Sequence, residues 1–172
     1  MFYFREIDNF LTDQDWHALF EVYRRIGNVR AVPTGFQNWE SLKQEEMAAL
    51  AADAGLRISI IAEKGNYVGW MRSQYYETPA KNYSLEFVWD LTPDQHSKDF
   101  VQMLAKEILQ RIMKYALNEA TLLISDARGK AVADIFSASE PMDSFNPALQ
   151  RRVVSILGLQ DFLELKPAAR KQ

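Results

Sequence analysis

The sequence predicts an α+β protein: a mixed, mostly antiparallel central sheet flanked by helices. Three observations carry this expectation. β-Rich runs at 58–61, 67–76 and 85–89 follow one another across short junctions, as in an antiparallel meander. A long stretch with apolar residues at helical spacing then leads to the short apolar run Thr121–Ser125, the order of a crossover helix and a parallel strand. Finally, 172 residues that are 48% apolar, with a net charge of −3, suit one domain with a sizeable core. The expected order is β-α-α-β-β-β-α-β-α-(α)-β in a single domain, 1–172, with 166–172 a flexible tail.

The elements follow from local patterns. Phe2, Phe4 and Glu6 alternate with Tyr3, Arg5 and Ile7, which predicts a first strand. Thr12, with Asp15 three residues on, starts a helix whose apolar side is Trp16, Leu19, Phe20 and Tyr23; Gly27 is expected to close it. Residues 28–38, with Pro33, Gly35 and Asn38, read as a loop. A second helix is expected over 39–54, with Leu42, Met47, Leu50 and Ala51 inward and Gly55 at its end. Ile58, Ile60 and Ile61 begin the meander, and Lys64-Gly65-Asn66 has hairpin character. Thr78-Pro79-Ala80 separates the second and third strands of the meander. Thr92 as cap, Pro93 at the first helical position and Gln95 start the longest helix, with Phe100, Leu104, Ile108, Ile112 and Tyr115 as its stripe and its end near Leu117. Thr121–Ser125 reads as a buried strand, 131–136 as a helix, 147–157 as a last helix ended by Gly158, and 162–165 as a final strand.

Composition excludes several functions. There is no cysteine, so disulfides, thiol catalysis and thiolate metal sites are ruled out. His17 and His96 are the two histidines, too few for a multi-histidine metal site, and no metal is expected. The seven glycines are so spaced that no G-x-G-x-x-G or Walker loop is present. The N-terminus lacks the basic and apolar regions of a signal peptide, and no run approaches the roughly 18 apolar residues of a membrane helix. A cytoplasmic protein without a membrane partner is expected. The slight negative charge gives no support to nucleic-acid binding.

Two segments resemble the GNAT acyltransferase superfamily, in a likeness that runs from about Tyr3 to Leu165. The first is Ile60-Ile61-Ala62-Glu63-Lys64-Gly65-Asn66-Tyr67-Val68-Gly69-Trp70, similar to the family's strand, turn and "V-G" pattern. The second is the stretch from Pro93 to Leu104, which lies in the frame of the family's acyl-CoA loop, P-x-x-(R/Q)-x-x-G-x-(G/A)-x-x-L. The resemblance implies acetyl-CoA as acyl donor, an amine acceptor on a small molecule or a protein, and donor-binding residues Trp89, Leu91, His96, Ser97, Lys98, Asp99, Phe100 and Val101. Pro93 and Leu104 fit the frame; His96 replaces Arg or Gln, and Asp99 and Val101 stand where the glycines belong. In that family, loop N–H groups and a helix N-terminus receive a diphosphate. Val101 would add bulk there, and Asp99 would oppose the diphosphate by roughly 1 kcal/mol per charge pair at about 4 Å in water. The same segment also reads as a well-capped helix start and nothing more.

Acyl transfer to an amine needs a base and an acid. Glu86 is the candidate base; the alternative is a solvated or salt-bridged strand residue. In a strand Glu86 shares a face with Ser84, Val88 and Asp90, and Asp90 would raise its pKa if both were buried. The family's acid is a tyrosine in the helix after the fifth strand, where this chain has Ile135 and Phe136, with Ser137 and Ser139 the nearest hydroxyls. Tyr67, Trp70, Tyr75, Tyr76, Tyr83 and Trp89 either line an acceptor pocket or pack in the core. Arg72 pairs with an acidic acceptor or with Glu86 across strands. His17 reads as a surface or packed residue. The extra stretch 141–157 is expected to cover the acceptor side or to form a homodimer contact. Two functions follow: an N-acyltransferase, or a domain of the same fold without acyl-CoA chemistry, serving as a binding, regulatory or dimerisation module. An unrelated α+β interaction domain is the third reading.

Overall fold

The computed structural model describes residues 1–29, 36–124, 127–136, 138 and 150–164. Among them, six strands form one sheet in the order β1 to β6: β1 (Phe2–Glu6), β2 (Leu56–Glu63), β3 (Asn66–Tyr76), β4 (Asn82–Trp89), β5 (Glu119–Ile124) and β6 (Gln150–Ser155). The helices are α1 (Asp13–Val29), α2 (Trp39–Ala52), α3 (Lys98–Lys114), α4 (Ala127–Ile135) and α5 (Ile156–Phe162). β1 runs antiparallel to β2 and β2 to β3; β4 is parallel to β5, and β6 is antiparallel to β5. This is the mixed, mostly antiparallel α+β sheet expected from the sequence. No helix among the described residues is long and apolar enough to cross a membrane.

The chain packs as two units. The first comprises Met1–Gln74 and Phe87–Leu91. Its core gathers Trp16, Leu19, Val22, Tyr23 and Ile26 of α1 with Leu42 of α2, Ile58 and Ile60 of β2, Trp70 of β3 and Val88 of β4. Thr12 starts α1 as expected: its N–H donates to Asp15 Oδ2 at 2.9 Å and its hydroxyl oxygen accepts from Asp15 N–H at 3.2 Å. Gly27 does not end α1, which runs to Val29; a mid-helix glycine costs about 1 kcal/mol, outweighed by burial of Val22, Tyr23 and Ile26 on the same helix. Asn38 and Ser41 cap α2 reciprocally, and α2 ends at Ala52, two residues short of the expected 54. Lys64 and Gly65, at φ of 50° and 83°, make the two-residue hairpin turn between Glu63 and Asn66. Gly69 serves close approach: a Cβ there would lie 2.3 Å from the Val88 carbonyl oxygen and 2.5 Å from Trp89 Cβ.

The second unit comprises Tyr75–Glu86 and Thr92–Gln172. Of the expected stripe of the long helix, Phe100, Leu104, Ile108 and Ile112 are each fully buried, while Tyr115 is half-buried and lies just past the helix, which ends at Lys114 and not near Leu117. Ala120, Leu122 and Ile124 of β5 are buried, and Phe136 meets Phe162 edge-on at 5.2 Å between ring centres. Three expectations are corrected here. The long helix does not start at Thr92: Pro93–Gln95 form a separate 3-10 turn, and α3 begins at Lys98 behind Ser97. The helix expected over 131–136 starts four residues earlier, at Ala127.

The third correction concerns the end of the chain, expected as a helix over 147–157 and a strand over 162–165. β6 comes first, then α5, so the order closes β-α rather than α-β. The β-branched pair Val153-Val154 joins a ladder with β5, from Glu119↔Ser155 to Ile124↔Gln150. Ser155 then caps α5, its hydroxyl oxygen accepting from Gly158 N–H at 3.0 Å, which puts Gly158 inside the helix instead of after it. Pro33, Gly35, Ser125, Ser137, Ser139, most of the 141–157 insertion and the 166–172 tail lie outside the described residues.

Candidate functional site

Glu86 lies in the second unit, on β4, opposite Leu123 of β5 in a parallel ladder that also pairs Ser84 with Thr121 and Leu85 with Leu122. Leu85 is fully buried while Ser84 and Glu86 are half-buried, as strand alternation requires. The Glu86 carboxylate makes no hydrogen bond or ion pair among the described residues. Its two expected neighbours are engaged in the first unit. Asp90 accepts from Arg25 Nε at 3.0 Å and, like Glu86, is only half-buried, so the expected mutual burial of the two carboxylates is not met. Arg72 does not pair with Glu86: its guanidinium lies 3.2 Å from Glu46 Oε1 and 3.0 Å from Glu46 Oε2.

The expected donor-binding segment divides by chemistry. Trp89 and Leu91, in the first unit, bury their side chains in the core, so a ligand can meet them through backbone alone. In the second unit the start of α3 is built by its own groups. Ser97 Oγ accepts from Phe100 N–H at 3.1 Å, and Ser97 O accepts from Val101 N–H at 3.1 Å. Thr92 N–H donates to Gln95 Oε1, Gln95 N–H to Thr92 O and Ser97 N–H to Gln95 O, each at 2.9 Å. The first two helical N–H groups, those of Lys98 and Asp99, have no intrahelical acceptor.

Side chains at this helix end are disposed unevenly. Ser97, Lys98 and Asp99 are exposed; His96 is half-buried with its ring 5.4 Å from that of Phe100. Phe100 and Val101 turn into the core. The bulk expected of Val101 at a phosphate contact is therefore absent. Asp94, held below the usual carboxylate range by its bond from the Thr92 hydroxyl and by its own N–H, stays ionised in the turn before the helix. An anion approaching this end meets the carboxylates of Asp94 and Asp99 against Lys98, and an N–H already filled by Ser97. The residues present do not fit a doubly charged diphosphate.

Among the described residues, no proton donor stands at the position expected for the acid. Ile135 is exposed, Phe136 is buried, and Tyr115 caps the end of α3, stacked on Tyr75 at 4.2 Å between ring centres. His17 is exposed and lies against Trp39, with ring centres 4.7 Å apart.

One cluster in the first unit escapes a reading of motifs. Glu46 of α2 is 5% exposed and is bound by Arg72 through both oxygens and by Tyr23 OH at 3.3 Å. Tyr23 in turn stacks on Trp70, with ring centres 3.8 Å apart and planes 4° from parallel. Burial raises the Glu46 pKa against the opposing pull of Arg72 and Tyr23. The signal was the spacing: Glu46 follows Leu42 by four residues and so shares its buried face.

No family model and no curated protein matches the sequence. Solved structures match in fold. An acetyltransferase from Thermus thermophilus is 12% identical with a TM-score of 0.65, over 88% of this chain and 96% of that one. An aminoglycoside acetyltransferase solved with coenzyme A is 12% identical with a TM-score of 0.66, over 94% and 98%. A spermidine N-acetyltransferase from Vibrio cholerae, solved with coenzyme A and spermine, is 14% identical with a TM-score of 0.61, over 92% and 97%. The chain shares the fold of these acetyltransferases across nearly its whole length.

Proposed function

We propose that this chain, built on the GNAT acetyltransferase fold, is an N-acyltransferase that moves an acyl group from an acyl thioester, acetyl-CoA in the first instance, to an amine. The observation that supports the reading most is the fold itself, matched over about nine-tenths of the chain to enzymes solved with coenzyme A. Glu86 supports it chemically. It is a half-buried carboxylate on a central strand with no hydrogen-bond or ion-pair partner among the described residues, placed to take a proton from the acceptor's ammonium and leave the neutral amine that attacks. The acceptor is a small-molecule or protein amine. The two neighbours that carry an acceptor in their names, aminoglycoside and spermidine, set the first compounds to try.

The test is thiol release from acetyl-CoA in the presence of a panel of polyamines, aminoglycosides and peptide amines. The expected result is amine-dependent release that falls by about 10²–10⁴ in Glu86→Gln, the range for loss of a general base. Absence of release with every amine overturns the reading. A second reading, the same fold serving as a binding or regulatory module, is favoured by one specific observation: the self-occupied start of α3. A homodimer, cytoplasmic location and independence of metals and nucleic acid remain part of the proposal.

A further inference from the structure

The start of α3 conflicts with diphosphate binding in a way that the loss of glycines does not describe. Val101 is blameless, since its side chain is buried in the core. The obstruction comes from Ser97 and Asp99. Ser97 Oγ sits 3.1 Å from the Phe100 nitrogen and takes up that N–H, one of the few a helix start can offer an anion. Asp99 is exposed on the same first turn, where its carboxylate already complements the positive end of the helix. Asp94 adds a second ionised carboxylate one turn earlier. A serine oxygen and an acidic side chain thus supply from within the chain what a bound phosphate supplies from outside.

We infer that this helix end is closed to diphosphate by its own Ser97 and Asp99, and that the acyl donor is recognised without its nucleotide end, as a pantetheine thioester. The inference rests on the transferase reading for its donor class. Its structural half, closure by these residues, stands apart from that reading.

The experiment compares binding of acetyl-CoA and S-acetylpantetheine by calorimetry, for the full chain and for the Ser97→Gly/Asp99→Asn variant. Glycine is a tolerated cap, costing only a few tenths of a kcal/mol, so the variant is expected to fold, which circular dichroism checks. The wild type is expected to bind the two thioesters within about threefold of each other, and the variant to gain about tenfold or more for acetyl-CoA with no gain for S-acetylpantetheine. A gain that disappears with added salt supports capture of the diphosphate. A wild type that prefers acetyl-CoA by about tenfold, or a variant with no gain for it, overturns the inference. If the wild type binds neither thioester while the variant binds acetyl-CoA, closure stands and the transferase reading falls. If neither protein binds either thioester, closure falls as well.

Discussion

Glu46 shows how much a single buried carboxylate depends on its partner. Arg72 touches both of its oxygens, and Tyr23 donates to one of them. A buried ion pair gains little over an apolar pair, but removing one member strands the other. Arg72→Ala should therefore cost about 2–3 kcal/mol at neutral pH, below the 3–5 typical of a fully buried pair because Arg72 is one-third exposed. Urea denaturation followed by tryptophan fluorescence measures this well, since Trp16, Trp39, Trp70 and Trp89 all lie in the first unit. The loss should shrink as pH falls and Glu46 takes up a proton. A pH-independent loss would mean that Arg72 acts through packing alone. The sequence held the clue to Glu46 in its spacing from Leu42, but a carboxylate on an apolar stripe does not say which cation meets it. Arg72 and Glu46 are 26 residues apart and become neighbours only when α2 packs on the sheet.

At the scale of elements, boundaries were decided by capping groups that compete with one another. Thr92-Pro93-Asp94-Gln95 and Ser97-Lys98-Asp99-Phe100 both satisfy the grammar of a helix start. Three-dimensional packing resolves the contest. Phe100, Leu104 and Ile108 must face the core, and the helix that presents them is the one behind Ser97, leaving the earlier motif a 3-10 turn. Ser97→Ala is thus expected to destabilise the protein by about 1 kcal/mol, and Thr92→Ala by less than half of that. Equal losses in thermal denaturation would return the cap to Thr92. The same logic explains the C-terminal miss. Ser155 both ends a strand and starts a helix, so the periodicity of 150–162 mixes the two patterns and suggests neither boundary. By contrast the β2–β3 hairpin was legible to within one residue, Asn66 opening β3 instead of closing the turn, because Lys64-Gly65 supplies the positive φ that a tight hairpin needs.

For the whole molecule, the sheet was legible because alternation, turn chemistry and a long amphipathic helix all pointed the same way. The site was less so, because its character depends on which N–H groups are already occupied and which carboxylates stay charged. The balance of charge also shapes stability against pH, through two groups that act in opposite senses. Desolvation works against ionised Asp15, but bonds from Thr12 and Tyr67 outweigh it and hold its pKa below the ordinary carboxylate range. Its contribution is present above its unfolded pKa and is lost as pH falls through the folded one. Glu46, pushed up by burial, contributes stability below its unfolded pKa, and that contribution is lost as pH rises through its folded value. The expected profile therefore climbs as Asp15 ionises and declines above the usual glutamate range as Glu46 ionises. Glu46→Gln removes the second limb while leaving Arg72 able to reach solvent, so its stability relative to the wild type should improve steadily from mildly acid to neutral pH. Urea titrations of both proteins across that range provide the measurement, and parallel curves would show that Glu46 keeps an ordinary pKa in the folded chain.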